Sequence, residues 1–202
     1  MKICIRRHAP TEGNLLSQYI GRTDQPLSRE GEATARRAGP HGGVERIHTS
    51  RLLRTRMTAE ILYPDAEIMP CAGLDEMDFG RFEGRGWREL EGDDAYREWL
   101  DSGCEAPCPG GEDKEGFSRR CRDAFAAILA DEFARGEPEL HLVVHGGTIM
   151  AVLSAFAEPE REYFSWRAGF CGGYLLECPD PAAERPLRLV DMISPPQNAD
   201  AE

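Results

Sequence analysis

The stretch LHLVVHGGTIMAVLSAF, residues 140–156, decides the fold. Its first half is an apolar run of strand length. Its second half is apolar again and long enough for a helix, with Gly146-Gly147 between the two. An apolar strand followed at once by a buried helix is half of a βαβ unit. It predicts an α/β protein with a mostly parallel sheet. His145 ends the strand, and Gly146, Gly147 and Thr148 open the helix, where free backbone N–H groups favour an anion.

The same alternation runs through the rest of the chain. KICI (2–5) reads as a strand ended by the charges of Arg6 and Arg7. Residues 28–39 read as a helix beginning at Ser28 and stopped by Gly39 and Pro40. VERIHTS supplies a second strand. Ser50 is then the expected cap of a helix in which Leu53, Met57 and Ile61 recur, ending before Pro64. AEIMP is a third strand. Phe117, Cys121, Ala124, Phe125, Ile128, Leu129 and Phe133 mark a long amphipathic helix, and GGYLLEC and PLRLVDMI give two last strands. Residues 1–194 therefore predict a single domain, a three-layer α/β/α sandwich. It carries a loop-rich insertion at about 81–117, with one short helix near 95–100, and a disordered tail at 195–202.

Bulk properties narrow the partners. The 202 residues carry a formal charge of −12, which disfavours nucleic acid and anionic membranes. No run of about 20 apolar residues spans a membrane and no signal peptide is visible, so a cytoplasmic location is expected. Seven scattered cysteines fit reduced thiols better than a disulfide framework. Cys104 and Cys108 sit close together, but no second close Cys or His pair completes a zinc set. The oligomeric state is not legible.

In open α/β sheets, ligands bind beyond the carboxyl ends of the strands. Three motifs lie at such ends: Arg7-His8 after the first strand, HTSRLLRT with Arg54 one helical turn in, and His145 before its glycines. Together they would gather two histidines and two arginines. Arginine holds phosphate bidentately and keeps its charge. A histidine among cations is held neutral, and a neutral imidazole beside a phosphoryl group is a competent nucleophile. The proton donor for a leaving alkoxide would come from GLDEMDFGRFEG (73–84), where Asp75, Glu76, Asp78 and Glu83 all compete. Composition does not choose among them.

The ordered segments RHAPTEGN, GRTDQPLSREGEATA, TSRLLRTRMTAEIL, LDEMDFGRFEG and VVHGGTI resemble the histidine phosphatase superfamily, over roughly residues 2–156. The resemblance implies the phosphoglycerate-mutase-like fold, with His8 as a transiently phosphorylated nucleophile. It implies Arg7, Arg54 and His145 around the phosphate, Glu76 as the proton donor, and Asn14, Gly21 and Gly146 among the substrate contacts. It implies no metal and no cofactor. LDEMDFGRFEG and PGGED are most similar to the alpha-ribazole phosphatase branch. The chain is short for a cofactor-dependent mutase, so water is the expected phosphoryl acceptor. A small phosphorylated metabolite is the expected partner; alpha-ribazole 5′-phosphate, phosphoserine and sugar phosphates all stay open. One departure is Ala9-Pro10, where the family usually has a small residue and an acid. Ala9 adds a Cβ and Pro10 removes an N–H.

Plainer readings attach to other residues. His41 reads as loop, His48 as strand, and His141 as sharing a face with His145 but too far away to join it. Arg36-Arg37 and Arg119-Arg120 read as solvated helix faces, Glu112 as a helix-dipole residue, and Arg6 as outward-facing. Of Trp87, Tyr96, Trp99 and Phe117, about half should line a pocket. The rival functions are a phosphoglycerate mutase, a metallohydrolase using His8, His145 and an acid, and a catalytically weak phospho-ligand binder.

Overall fold

The computed structural model of the protein describes residues 1–197. One sheet holds seven strands: β1 (Lys2–Arg7), β2 (Arg46–Thr49), β3 (Glu67–Pro70), β4 (Glu139–Val144), β5 (Ala157–Glu158), β6 (Gly173–Glu177) and β7 (Leu187–Ile193). Their order is β3-β2-β4-β1-β6-β7-β5. β1, β2, β3 and β4 pair in parallel, as do β5 and β7, whereas β6 runs antiparallel to both of its neighbours. The helices are α1 (Glu12–Leu15), α2 (Arg29–Ala38), α3 (Leu53–Leu62), α4 (Trp87–Leu90), α5 (Asp94–Asp101), α6 (Lys114–Ala134) and α7 (Gly146–Phe156).

The strand alternation divides the core in two. Leu140, Leu142 and Val144 of β4 join Ile3 and Ile5 of β1 under α6 and α7, where Phe117, Cys121, Phe125, Ile149 and Val152 are buried. Val143, between them, faces the other way and meets Ile47, Ala59 and Leu62. One sheet face is thus covered by α6 and α7, the other by α3 with α2 packed on it. This is the expected three-layer α/β/α arrangement. Because β1, β2 and β4 are parallel, the chain segments following them emerge at one edge.

Several local expectations are corrected. Ser50 does not cap α3; the cap residue is Leu52, and the Leu53 N–H donates to Asp24 Oδ1 at 2.7 Å. The inward face of α3 is Arg54, Thr55, Thr58, Ala59 and Leu62, while Leu53 is exposed and Met57 and Ile61 are half-buried. An apolar period cannot reveal a helix that turns a polar face toward a site. Phe133 is exposed at the end of α6. The insertion holds two helices, α4 and α5, not one. Arg6 is half-buried and donates to the Cys171 carbonyl at 2.9 Å. Of the expected tail, Pro195 packs so closely that a Cβ on Gly169 would lie 2.4 Å from its Cγ. Residues 198–202 lie outside the described residues.

Candidate active site

His8 follows β1, and its backbone N–H donates to the Val144 carbonyl of β4 at 2.9 Å, which fixes it at the shared sheet edge. The side chain is almost fully buried. Its Nδ1 lies 2.6 Å from the Ala9 carbonyl oxygen, which can only accept. That partner assigns the proton to Nδ1 and leaves the Nε2 lone pair unprotonated. Burial, and then the charges of Arg54 and Arg7, push the His8 pKa well below that of an ordinary histidine. His8 is a neutral imidazole with a free nitrogen.

Ala9 fits without strain. It is fully buried beside Leu27, Ala35 and Cys171, and its N–H donates to Thr58 Oγ1 at 2.9 Å. Pro10, which has no N–H to give, uses its carbonyl instead, accepting from the Ser28 N–H and hydroxyl at the start of α2. The departure from the family pattern is therefore absorbed by packing and by the neighbouring helix start.

Arg54 has no solvent exposure. Burying a guanidinium costs several kcal/mol unless its donors are satisfied. Here the partners are backbone carbonyls: Nη2 donates to Gly21 at 2.6 Å and to Ile20 at 3.4 Å, and Nη1 to Thr23 at 3.0 Å. Nε donates to His145 Nδ1 at 3.3 Å. With Nδ1 accepting, His145 carries its proton on Nε2 and donates to Ser50 Oγ at 2.7 Å. Both His145 nitrogens are thus engaged within the protein. Burial, then Arg54, depresses this pKa well below the usual value too. The His8 and His145 rings meet edge-on at 5.1 Å between centroids.

Arg7 donates from Nη1 to the Ala168 carbonyl at 3.0 Å, and its guanidinium lies over the Phe170 ring at 3.9 Å. Its buried Nε has no hydrogen-bond partner. Among the described residues neither Arg7 nor Arg54 forms an ion pair. The edge therefore holds one buried and one half-buried cation, neither with a paired anion.

The four candidate acids separate. Asp75 is bound by the Arg51 backbone N–H and side chain. Asp78 is taken by Arg22 and the Gly80 N–H. Glu83 is surrounded by donors from residues 21–23 and 79. Only Glu76 lines the large cavity. Its carboxylate accepts from the N–H groups of Met77 and Gly147, both at 3.1 Å. Burial raises its pKa, and these two hydrogen bonds and the nearby arginines oppose the rise without cancelling it. Gly147 is required for this approach, since a Cβ there would lie 2.3 Å from Glu76 Oε1.

Asn14 is held by a capping box with Thr11, its Oδ1 accepting the Thr11 N–H at 3.1 Å. This leaves the amide N–H groups of Asn14 as donors. The Gly21 N–H is not free, because it donates to Glu83; it is the Gly21 carbonyl that serves the site, through Arg54. Gly146 lines the cavity, where a Cβ would make ordinary van der Waals contact with Arg7, 3.5 Å from its Nε.

The cavity, of about 590 Å³, runs outward from Arg7, Glu76 and Gly146. Trp99 and Phe117 line it as anticipated, while Tyr96 is buried behind, sharing a hydroxyl contact of 2.7 Å with Tyr19, and Trp87 is exposed. The sequence did not point to Tyr19, Phe79, Lys114, Tyr163, Phe164 or Arg167, which also line it. They come from four separate segments with no spacing to link them. Arg120, expected on a solvated face, is half-buried and donates to the carbonyls of Gly73, Asp75 and Glu76 and to Glu112. It clamps the turn that carries Glu76.

The sequence profile of the Histidine phosphatase superfamily (branch 1) matches residues 3–180. A probable phosphoglycerate mutase of Klebsiella pneumoniae is 34% identical over 164 residues, covering 76% of this chain and 74% of its own. The adenosylcobalamin/alpha-ribazole phosphatase of Salmonella typhimurium is 29% identical over 161 residues, covering 76% and 78%. The crystal structure of the alpha-ribazole phosphatase from Shigella flexneri superposes with a TM-score of 0.79 at 23% identity, covering 94% of this chain and 96% of that one, which is a likeness of fold. The protein belongs to the histidine phosphatase superfamily, and it is an enzyme of the phosphatase class. No helix of the described residues is long and apolar enough to cross a membrane.

Proposed function

We propose that the protein is a metal-independent phosphomonoesterase working through a phosphohistidine at His8. The observation that carries this reading is the neutral His8 ring set beside two guanidinium groups that have no anionic partner. In the first step His8 Nε2 forms a bond to phosphorus, the ester P–O bond breaks, and Glu76 gives its proton to the leaving oxygen. In the second, the Glu76 carboxylate takes a proton from water as that oxygen attacks phosphorus. The N–P bond breaks and inorganic phosphate leaves. Arg7 and Arg54, with the remaining donors of Asn14 and the α7 start, neutralise the phosphoryl oxygens. His145 keeps Arg54 in line through Nδ1.

The leaving group we infer is bulky and flat. Tyr19, Phe79, Trp99, Phe117, Tyr163 and Phe164 would stay wet around a three-carbon acid such as phosphoglycerate or phosphoserine. They suit a ring-bearing alcohol, and alpha-ribazole 5′-phosphate, the type of substrate in the Salmonella relative's name, is the leading candidate. Transfer to a phosphoglycerate is the rival outcome, supported by the identity to the Klebsiella protein.

Acid-labile, base-stable label should be trapped on His8 when turnover of a labelled ester is quenched. His8→Ala should lose both the label and roughly 10³-fold or more of the rate. Wild-type activity in His8→Ala would end the proposal. A panel of esters ranked by kcat/KM, run with and without added phosphoglycerate, separates hydrolysis from transfer.

A further inference from the structure

Glu83 occupies a place that neither the cavity nor the proton transfer explains. Its carboxylate accepts from the N–H groups of Gly21 (3.1 Å to either oxygen), Arg22 (3.0 Å), Thr23 (3.2 Å) and Phe79 (3.1 Å). It also accepts from Thr23 Oγ1 at 2.6 Å. The segment that supplies most of these donors is the one whose carbonyls hold Arg54.

The two sets of bonds share peptide groups. The Ile20 carbonyl and the Gly21 N–H belong to one peptide unit; the first accepts from Arg54 and the second donates to Glu83. The Gly21 carbonyl and the Arg22 N–H form the next unit and do the same. Two consecutive peptide dipoles therefore lie between a carboxylate and a guanidinium, each with its negative end on the arginine. Gly21 is the only residue type that permits this, since a Cβ would lie 1.8 Å from the Met77 carbonyl oxygen.

We propose that Glu83 is the positioning residue for Arg54, acting through the Ile20–Gly21 and Gly21–Arg22 peptide groups. The arrangement solves a conflict. A carboxylate directly on Arg54 would fix it but would neutralise the charge that attracts a phosphate. A carboxylate one peptide removed fixes the guanidinium by its carbonyl partners and leaves it without an anion. The inference rests on the reading of Arg54 as a phosphate ligand.

Glu83→Ala empties the nest and should lower kcat/KM for an aryl phosphate by about 10²-fold, the cost of a misplaced catalytic cation. Inhibition by orthovanadate should weaken in parallel. Sodium formate should restore a large part of both, and sodium chloride at equal ionic strength should not, because formate replaces the missing carboxylate. If Glu83→Ala retains kcat/KM within about twofold of wild type, the proposal is overturned. It is overturned equally if formate raises Tm without restoring vanadate inhibition, for Glu83 would then be merely structural. Should Glu83→Ala fail to fold, Glu83→Gln decides. It keeps the size but sets an NH2 against the peptide donors, and wild-type activity there rejects the proposal. If wild type hydrolyses no aryl phosphate, the functional reading fails by itself. Orthovanadate binding to wild type and Glu83→Ala then still measures the grip of Arg54, and equal affinity rejects the role of Glu83.

Discussion

The two edges of the sheet gather the same residue types and treat them oppositely. At the amino edge of β2 and β4, Arg46 meets Glu132 at 2.7 Å and Glu137 at 2.6 Å, His48 meets Glu132 at 3.0 Å, and His141 meets Glu139 at 3.1 Å. A cavity of about 310 Å³ lies there, but its cations already have anions. At the carboxyl edge Arg7 and Arg54 rest on carbonyls and an aromatic ring, and His8 and His145 stay neutral. The difference teaches where to look for chemistry. A cluster of basic residues becomes an anion site when the protein satisfies its hydrogen bonds without neutralising its charge.

Apart from the loss of His8 itself, the largest effect should follow from erasing that difference. Gly146→Asp has room for its Cβ, the nearest neighbour being Arg7 Nε at 3.5 Å. The new carboxylate would sit in the first turn of α7, which suits the helix dipole, and would pair with Arg7. The expected outcome is a fall in kcat/KM of about 10²-fold or more with Tm unchanged or raised. Activity near wild type would mean that the unpaired cations are not the phosphate site. Next in size is Glu76→Gln, which removes the carboxyl that lines the cavity beside Arg7. Esters with poor leaving groups should slow by about 10²-fold and activated aryl phosphates much less. Equal losses on both would move the proton donor elsewhere.

The contrast between edges also explains what could be read from the chain. His8, Arg54 and His145 were legible because each follows a strand whose apolar run is unmistakable, and parallel pairing carries such positions to one edge. The long stripe of α6 and the capped start of α2 were legible for the same local reason. The residues alone left Glu76 as one of four acids, and only the family resemblance singled it out, since the choice depends on Arg51, Arg22 and the peptide nest of residues 21–23, which lie 24 to 62 residues from the acids they remove. Ser50 was misread as a cap because its hydroxyl is claimed by His145, 95 residues away. The aromatic part of the cavity wall was not legible beyond Trp99 and Phe117. Aromatic residues such as Tyr163 and Phe79 carry no period and are brought together only by the fold.

At the amino edge the expected effects are smaller and fall on stability. Glu132→Gln removes the anion shared by Arg46 and His48, while Glu137 still serves Arg46. A loss of about 1–3 kcal/mol in urea unfolding, with kcat/KM unchanged, is the expected result. Loss of activity at full stability would show that this edge communicates with the site.

The smallest effect is in pH, and it has opposite signs at the two edges. His8 and His145 have folded pKa values below 6.5, so above that pH both folded and unfolded forms are neutral and nothing is lost. As the pH falls below 6.5 the unfolded chain takes up protons that the buried rings refuse, and stability declines. His141 is the reverse: burial opposes its charge, but the neighbouring Cys4 and the Glu139 carboxylate at 3.1 Å prevail and raise its pKa. Its contribution is full below 6.5 and disappears as the pH rises through the higher folded value. Tm measured between about pH 5 and 8 should therefore fall less steeply toward acid in His8→Gln than in wild type. In His141→Gln it should fall more steeply. Slopes that change in the same direction in both variants would mean that the edges are not distinguished by how they treat a proton, and the paired-versus-unpaired contrast would have to rest on the arginines alone.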